Sequence, residues 1–246
     1  MNSELLMDLK TRLHEAKHAV FFGGAGMSTA SGIPDFRGSQ GLYTTSRESS
    51  PEYLLSVTCL RREPQRFFDY YRSAILYHDA APNAAHRALA KLEKDGVLKA
   101  LITQNIDGLH QAGGSRRVLE LHGSVARAYC AKCGKEIDSD VIAEEKSVPR
   151  CPDCGGVVRP DVVLYGEYLP EDVFEDAVRE IGEADFLLVG GSSLTVQPAA
   201  SLVESFIRRD AGPLAILNKT PTDYDAWADF LVRDPVEEVL PILAGE

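Results

Sequence analysis

Short apolar runs recur along the chain, and small or polar residues follow each of them. The runs lie at residues 19–22, 96–102, 118–121, 186–189, 214–217 and 230–232. Runs of this length, bounded by glycine and polar residues, are typical of buried strands. Because segments with helical periodicity separate them, the pattern predicts an α/β fold, with a parallel sheet covered by helices on both faces.

The segments between the strands show the spacing of amphipathic helices. Residues 3–18 place Leu5, Leu6, Leu9 and Leu13 on one face, with Ser3 as the expected N-cap. Further helices are predicted at 52–78, which is rich in aromatic residues, after Pro82, at 170–181, after Pro198 and after Pro235. Residues 162–169 return to strand character and end in a loop.

Chemically active residues follow the predicted strands directly. They include the glycine turn that starts at Gly24, the tetrad Gln104-Asn105-Ile106-Asp107, His122-Gly123, Gly190-Gly191-Ser192-Ser193 and Asn218-Lys219. In a parallel sheet, ligands bind outside the carboxyl ends of the strands. The sequence therefore predicts a single site built from these segments.

The glycine turn favours a phosphate-bearing ligand. Gly24 and Gly26 let the backbone turn tightly, so that bare amides before a helix start can approach an anion. The turn continues to Asp35, Phe36 and Arg37, which supply a carboxylate, an aromatic face and a guanidinium suited to phosphate or ribose. However, Thr29 occupies the third glycine position, and no acidic residue follows a second strand, so a plain dehydrogenase fits poorly.

Two other strand ends carry candidate catalytic groups. The amides of Gln104 and Asn105 and the carboxylate of Asp107 are suited to a carboxamide and a ribose, although by composition alone they also fit a polar turn. A lone histidine is more often structural than catalytic, but the position of His122 at a strand end favours a general base.

Four of the five cysteines form two CxxC pairs. Cys130 and Cys133 are separated from Cys151 and Cys154 by 17 residues. Four thiolates at this spacing can surround one zinc ion tetrahedrally, and a closed site of this kind is structural. We expect the module at 126–159 to depend on this metal, because it is too small for a core of its own. Cys59 is left over as a buried thiol.

Composition narrows the class of protein. A chain of 246 residues with 44% hydrophobic and 26% charged residues is typical of a globular protein. The net charge of −11 argues against a nucleic-acid surface and suits basic, lysine-bearing partners. Because no apolar run reaches a membrane-spanning length and no leader is evident, we expect a cytoplasmic protein without a membrane partner.

The segment at residues 24–37 resembles the signature of the sirtuins, the NAD-dependent protein deacylases. The downstream blocks at 104–107, 122–123 and 191–193 match the family in the same order, so that the resemblance covers nearly the whole chain. It implies a Rossmann-like NAD-binding domain at 1–48, 80–125 and 160–246. It also implies a small domain made of a helical insert at 49–79 and a zinc ribbon at 126–159.

The resemblance also assigns roles to residues. His122 matches the general base, and Asn105 would orient ribose or water. The residues implied to bind NAD are Gly24, Ala25, Gly26, Ser28, Thr29, Asp35, Phe36, Arg37, Gln104, Asn105, Ile106, Asp107, His122, Gly191, Ser192, Ser193, Asn218 and Lys219. Those implied to hold the acyl-lysine are Val163, Gly166, Tyr168 and Leu169, and one structural zinc ion would bind Cys130, Cys133, Cys151 and Cys154.

The implied activity is NAD-dependent deacylation of lysine in proteins, with free lysine, nicotinamide and O-acyl-ADP-ribose as products. Sirtuins that remove succinyl or malonyl groups carry a Tyr-x-x-Arg pair in the helical insert. Phe68 and Tyr71 hold the corresponding positions here, so acetyl or longer neutral acyl groups are expected, although Arg72 is adjacent. We expect a monomer.

Two other functions remain open at this point. A mono-ADP-ribosyltransferase on the same scaffold would need the same His122 and Asn105. A non-catalytic NAD-sensing or partner-binding module would not need them, and their presence argues against it. A nucleic-acid-binding zinc ribbon is disfavoured by the acidic balance.

Overall fold

The computed structural model describes residues 2–35 and 50–246. Phe36 and Arg37, for which the sequence predicts NAD contacts, lie outside these ranges. The strands in chain order are β1 (Ala19–Gly23), β2 (Leu98–Thr103), β3 (Val118–Glu120), β4 (Gly123–Cys130), β5 (Glu136–Ile137), β6 (Val158–Val162), β7 (Phe186–Gly190), β8 (Leu214–Leu217) and β9 (Phe230–Val232). The α-helices are α1 (Ser3–Glu15), α2 (Pro51–Leu54), α3 (Val57–Arg62), α4 (Pro64–Ala74), α5 (Ala84–Lys94), α6 (Leu109–Ala112), α7 (Asp140–Glu144), α8 (Glu171–Glu183), α9 (Ala200–Arg209) and α10 (Val236–Ala244).

Six parallel strands form the main sheet, in the order β3-β2-β1-β7-β8-β9. Counted along the chain, the strands of this sheet run outward from β1 in two opposite directions, as in dinucleotide-binding folds. The order reverses between β1 and β7, and a crevice for a ligand forms outside the strand ends at that point. The predicted parallel α/β sheet is confirmed.

Helices cover both faces of this sheet because its strands are apolar on both sides. In β1, Ala19 and Phe21 pack into the core beneath α1, α5 and α10, whereas Val20 and Phe22 pack beneath α8 and α9. All four residues are fully buried. Continuous apolar strands of this kind are the sequence pattern of a sheet buried on both faces.

A second unit lies beside the main sheet. Its antiparallel sheet has the order β5-β4-β6, and it packs against α2, α3 and α4 in a third hydrophobic core. Phe67 and Phe68 from α4 share this core with Ile142 and Val158 from the cysteine module. The module is therefore buttressed by the helical insert as well as by any metal that it binds.

Three local predictions were wrong in detail. Asn2, not Ser3, caps α1, because its side chain accepts hydrogen bonds from the amides of Glu4 and Leu5. The predicted helix at 52–78 is three short helices, since Ser56 and Pro64 begin new ones. The strand predicted at 162–169 instead ends at Val162, and a turn follows it.

Within the part of the chain that the structure describes, no helix combines the length and the hydrophobicity needed to cross a membrane.

Candidate functional site

A cavity of about 570 Å³ opens at the carboxyl ends of β1, β2 and β7. Its lining combines two kinds of surface. The sheet contributes the polar strand ends, whereas the helical insert and the segment after β6 contribute an apolar wall that includes Leu55, Ile75 and Leu164. This cavity is therefore shared between the main sheet and the small domain.

Glycines let the turns after β1 and β7 interlock at the reversal of strand order. A Cβ on Gly26 would lie 2.8 Å from the Cα of Gly191, and a Cβ on Gly24 would lie 2.9 Å from the Cβ of Ser192. The amide of Gly26 donates to the carbonyl of Gly191 at 2.8 Å, and that of Gly24 donates to Gly190 at 3.1 Å. These two amides, expected to face a phosphate, are thus bonded to the neighbouring turn.

Ser28 joins two of the predicted site residues. Its hydroxyl donates to Oδ2 of Asp107 at 2.6 Å and accepts from Nδ2 of Asn105 at 3.1 Å. Oδ1 of Asp107 accepts from the amide of Leu109 at 2.9 Å. The amide and carboxylate side chains are therefore held in fixed orientations at the cavity wall.

A second set of hydrogen bonds joins the loop after β2 to the loop after β7. Nε2 of Gln104 donates to Oγ of Ser192 at 2.9 Å, and this oxygen also accepts from the amide of Leu194 at 3.2 Å. Asn218 lines the same cavity, while its Nδ2 donates to the carbonyl of Thr220 at 2.8 Å. The loops after β2, β7 and β8 thus form one polar rim.

His122 lies at the meeting point of the polar rim and the apolar wall. Nδ1 of its half-buried ring is 2.8 Å from the carbonyl oxygen of Gln104. A carbonyl can only accept, so Nδ1 carries the proton and Nε2 carries the lone pair. Because His122 lines the cavity, the ring can serve as a base there.

Burial lowers the pKa of His122 below its usual 6.5, and the hydrogen bond from Nδ1 to Gln104 opposes this effect in part. The ring is therefore neutral at physiological pH, which is the state that a general base requires.

The residues predicted to hold an acyl-lysine form part of the apolar wall. Val163, Gly166, Tyr168 and Leu169 all line the cavity. The amide of Val163 donates to the carbonyl of His122 at 2.9 Å, which ties this segment directly to the candidate base. Tyr168 is 97% exposed, so its ring stands at the cavity mouth and not in the core.

The helical insert presents no cation to this wall among the described residues. Tyr71 lines the cavity, whereas Phe68 packs in the core of the small domain. The guanidinium of Arg72 turns toward the cysteine module, where it donates to the carbonyls of Ile142 at 2.7 Å and Ser147 at 2.6 Å. Arg72 is thus engaged away from the cavity.

The four cysteines of the CxxC pairs come together at one point. Their sulfur atoms all lie within 4.8 Å of one another, and none forms a disulfide. Sγ of Cys130 is 3.5 Å from that of Cys154, and Sγ of Cys133 is 3.9 Å from that of Cys151. Four thiolates about 2.3 Å from a tetrahedral zinc ion would lie about 3.8 Å apart, so the donor set fits this metal.

Most of the predicted nucleotide residues that the structure describes line the cavity, but two of them do not. Thr29 and Lys219 are exposed; the hydroxyl of Thr29 donates to the carbonyl of Gly26, and Lys219 faces Glu237 at 3.9 Å. The described residues that do line it are Gly24, Ala25, Gly26, Ser28, Asp35, Gln104, Asn105, Ile106, Asp107, His122, Gly191, Ser192, Ser193 and Asn218.

The structure adds lining residues that the sequence analysis did not single out. Among them are Ile33, Pro34, Tyr77, Val125, Tyr165, Glu167 and Pro198. Most are apolar or aromatic residues, and in a sequence such residues do not distinguish a cavity lining from a packed core. Glu167 is the exception, since a carboxylate two residues after the apolar run at 162–165 can be recognised in the sequence.

Comparisons with known proteins agree with this geometry. An NAD-dependent protein deacetylase of Clostridium acetobutylicum is 49% identical over 236 residues, covering 95% of both chains. The protein of that name from Cutibacterium acnes is 50% identical over 230 residues, covering 93% of both chains. Solved structures with similar folds include a complex of a Sir2 homologue with NAD, with a TM-score of 0.88 and 38% identity over 97% of this chain and 92% of that one.

Another similar structure is Sir2 with a p53 peptide and NAD⁺, with a TM-score of 0.87 and 38% identity over 100% of this chain and 98% of that one. The Sir2 family model matches residues 24–198, which is more than half of the chain. The chain belongs to the Sir2 family.

Proposed function

We propose that this protein is an NAD-dependent protein lysine deacetylase that releases free lysine, nicotinamide and O-acetyl-ADP-ribose. One observation carries the proposal: a neutral histidine base, His122, lies between a polar rim suited to a dinucleotide and an apolar wall suited to an acyl-lysine. The relatives named NAD-dependent protein deacetylases, which are about as long as this chain, support the same activity.

The polar rim is the proposed NAD site, and its donor set fits the cofactor. Small residues of the turns after β1 and β7 leave room for a pyrophosphate, while Asn105 and Asp107 offer an amide and a carboxylate to the nicotinamide ribose and carboxamide. When bound, NAD supplies an activated ribose carbon with nicotinamide as its leaving group. Phe36, Arg37, Thr29 and Lys219 stay as predicted contacts with the nucleotide.

His122 is the proposed general base. Its Nδ1 proton is held by the carbonyl of Gln104, so Nε2 accepts a proton from a ribose hydroxyl. Asn105 orients a ribose hydroxyl or a water molecule, because Ser28 fixes its side-chain amide.

The apolar wall is the proposed acyl-lysine site. Val163, Gly166, Tyr168 and Leu169 would hold the lysine and its backbone, by adding the peptide as a strand. Among the described residues, no cation of the helical insert lines the cavity, and Arg72 is bonded elsewhere, so a carboxylate-bearing acyl group would lack a partner there. Acetyl and other neutral acyl groups are the proposed substrates.

The four-cysteine cluster is the proposed structural zinc site. Cys130, Cys133, Cys151 and Cys154 would fill all four tetrahedral positions, so the metal would fix the module and not take part in catalysis.

We also propose a domain division, a cellular location and an oligomeric state. The domain division at 1–48, 80–125 and 160–246, with 49–79 and 126–159 as the small domain, is supported by the two separate sheets, although β4 and β6 cross its boundaries. We further propose a cytoplasmic monomer.

The test is mass spectrometry of an acetyl-lysine peptide incubated with the protein, with and without NAD. A succinyl-lysine peptide probes the acyl specificity, and His122→Ala is the catalytic variant. We expect NAD-dependent loss of acetyl, formation of O-acetyl-ADP-ribose, little reaction with succinyl-lysine and no turnover by His122→Ala.

Two results would contradict the proposal. Transfer of ADP-ribose to protein, with the peptide still acetylated, would identify a mono-ADP-ribosyltransferase. Binding of NAD without any product would identify a sensing or partner-binding protein.

A further inference from the structure

Arg159 and Glu167 form a two-pronged ion pair at the edge of the acyl-lysine wall. Nη1 of Arg159 lies 2.5 Å from Oε1 of Glu167, and Nη2 lies 2.8 Å from Oε2. The side chain of Arg159 is 9% exposed and that of Glu167 24% exposed. A paired guanidinium and carboxylate at this depth hold each other in a narrow range of positions.

This pair also fixes the backbone on both sides of it. Nη2 of Arg159 donates to the carbonyl of Val162 at 2.8 Å, and Oε2 of Glu167 accepts from the amide of Leu164 at 2.9 Å. The amide of Glu167 in turn donates to the carbonyl of Leu164 at 2.9 Å, which closes a turn. Gly166 has φ of 90° in this turn, a conformation that glycine adopts without strain.

The turn stands between the candidate base and the helical insert. On one side, the amide of Val163 donates to the carbonyl of His122 at 2.9 Å. On the other side, the amide of Tyr165 donates to Leu55, and the carbonyl of Tyr165 accepts from Val57, both at 3.1 Å. A shift of the turn would therefore move the apolar wall relative to Nε2 of His122.

We propose that Arg159 and Glu167 are positioning residues that set the place of the acyl-lysine peptide in the cavity. The inference rests on the proposed deacetylase function and deepens it. Arg159 acts through Glu167 and the turn, since of the two residues Glu167 is the one that lines the cavity. Their role concerns the peptide and not the nucleotide. Among the described residues, their side-chain hydrogen bonds all lie within residues 159–167, and the guanidinium of Arg159 lies over the ring of Tyr129, away from the polar rim.

Glu167→Gln is the decisive substitution. It keeps the size of the side chain and an oxygen for the amide of Leu164, but it removes the charge that aligns the guanidinium. Arg159→Lys is the second variant, since an ammonium keeps the charge and cannot make the two-pronged contact. Glu180→Gln is the matched control, because Glu180 is a buried carboxylate that pairs with Arg117 and His18, away from the cavity.

Steady-state kinetics with an acetyl-lysine peptide separates positioning from simple loss of stability. For Glu167→Gln and Arg159→Lys we expect the KM for the peptide to rise about tenfold, with the KM for NAD and kcat within about twofold of the parent protein. For Glu180→Gln we expect a lower Tm with both KM values unchanged. An unchanged peptide KM in Glu167→Gln, whatever its Tm, would overturn the inference.

Fluorescence anisotropy of a labelled acetyl-lysine peptide, in the presence of ADP-ribose, distinguishes failure of the inference from failure of the proposed function. If the parent protein binds the peptide but does not deacetylate it, the deacetylase proposal fails, and a weaker affinity of Glu167→Gln still supports the positioning role. If the parent and Glu167→Gln bind the peptide equally, or if neither binds it, the positioning role is wrong.

Discussion

Nδ1 of His122 is 2.8 Å from the backbone carbonyl oxygen of Gln104, and this contact joins the ends of β3 and β2. The contact fixes which ring nitrogen carries the proton, since the carbonyl has none to donate. It also fixes the orientation of the ring toward the cavity. Because the acceptor is a backbone carbonyl, a substitution of the Gln104 side chain does not remove this hydrogen bond.

The neutral state of this ring predicts a pH dependence. Because burial lowers the pKa of His122 below 6.5, the base stays unprotonated into mildly acidic solution. We expect kcat/KM for an acetyl-lysine peptide to be constant above pH 7 and to fall only below pH 6.5, as Nε2 becomes protonated. A profile of kcat/KM measured from pH 5 to 8 at fixed ionic strength tests this expectation. An inflection of kcat/KM above pH 6.5 that belongs to His122 would contradict it.

Removal of the Ser28 hydroxyl should weaken the nucleotide site. In Ser28→Ala, both Asn105 and Asp107 lose the hydroxyl that orients them, so we expect the KM for NAD to rise or kcat to fall by about tenfold or more. The same substitution at Ser205, which is exposed on α9, is the control and should leave both constants unchanged. Equal kinetics for Ser28→Ala and the parent would show that these side chains are oriented by other contacts.

The cysteine cluster predicts a defined metal content. We expect elemental analysis to find one zinc ion per chain, and we expect Cys133→Ser to lose it and to lower Tm. Cys59→Ser is the matched control: Cys59 is buried in the core of the small domain outside the cluster, so this variant should keep its zinc. Retention of zinc by Cys133→Ser, or its loss from Cys59→Ser, would locate the metal elsewhere.

A buried histidine outside the cavity predicts acid sensitivity of the fold. His110 packs edge-on against Phe21 and His86, and neither ring nitrogen has a hydrogen-bond partner among the described residues. Burial lowers the pKa of His110 to about 3, and the neighbouring His86, whose own pKa is lowered by burial, opposes its charge. The folded state therefore keeps this ring neutral where the unfolded chain binds a proton.

The sign of the effect follows from this difference. The contribution of neutral His110 to stability is complete above pH 6.5 and is lost as the pH falls toward 3. Relative to His110→Phe, we expect the parent protein to lose about 2 kcal/mol of unfolding free energy between pH 7 and pH 5. Urea unfolding at several pH values measures this loss, and a difference that does not change with pH would mean that the ring is protonated inside the fold.

The sequence predicted the main sheet and the members of the polar rim well, for a physical reason. Strands buried on both faces are apolar throughout, so β1 and β7 are visible as uninterrupted runs that end in glycine. Since parallel strands all present their carboxyl ends at one edge, the residues that follow them had to lie near one another. His122 and Asn105 were placed at this edge on that basis, whereas their roles in catalysis come from the resemblance to the sirtuins and stay predictions.

What the sequence did not predict depends on the direction of individual side chains. The orientation of Arg72 follows from the phase of a short helix, and a rotation by one residue would have turned it toward the cavity. The bond from Ser28 to Asp107 depends on the register that pairs Gly23 with Thr103. The pairing of Arg159 with Glu167 depends on the turn that follows Val162. The sequence analysis had predicted a strand over 162–169 in place of this turn.

The interlocked turns after β1 and β7 also constrain the order in which a newly made chain can mature. β1 leaves the ribosome early and can pair with β2, but its other edge must wait until the entire small domain has been synthesised. Until Gly190 and Gly191 emerge, one edge of the apolar central strand β1 has no hydrogen-bonded neighbour. An unpaired edge of this kind can pair with the wrong strand or with another chain. Arrival of β7 covers that edge and completes the nucleotide crevice in the same event, so competence to bind NAD is a late property of the nascent protein.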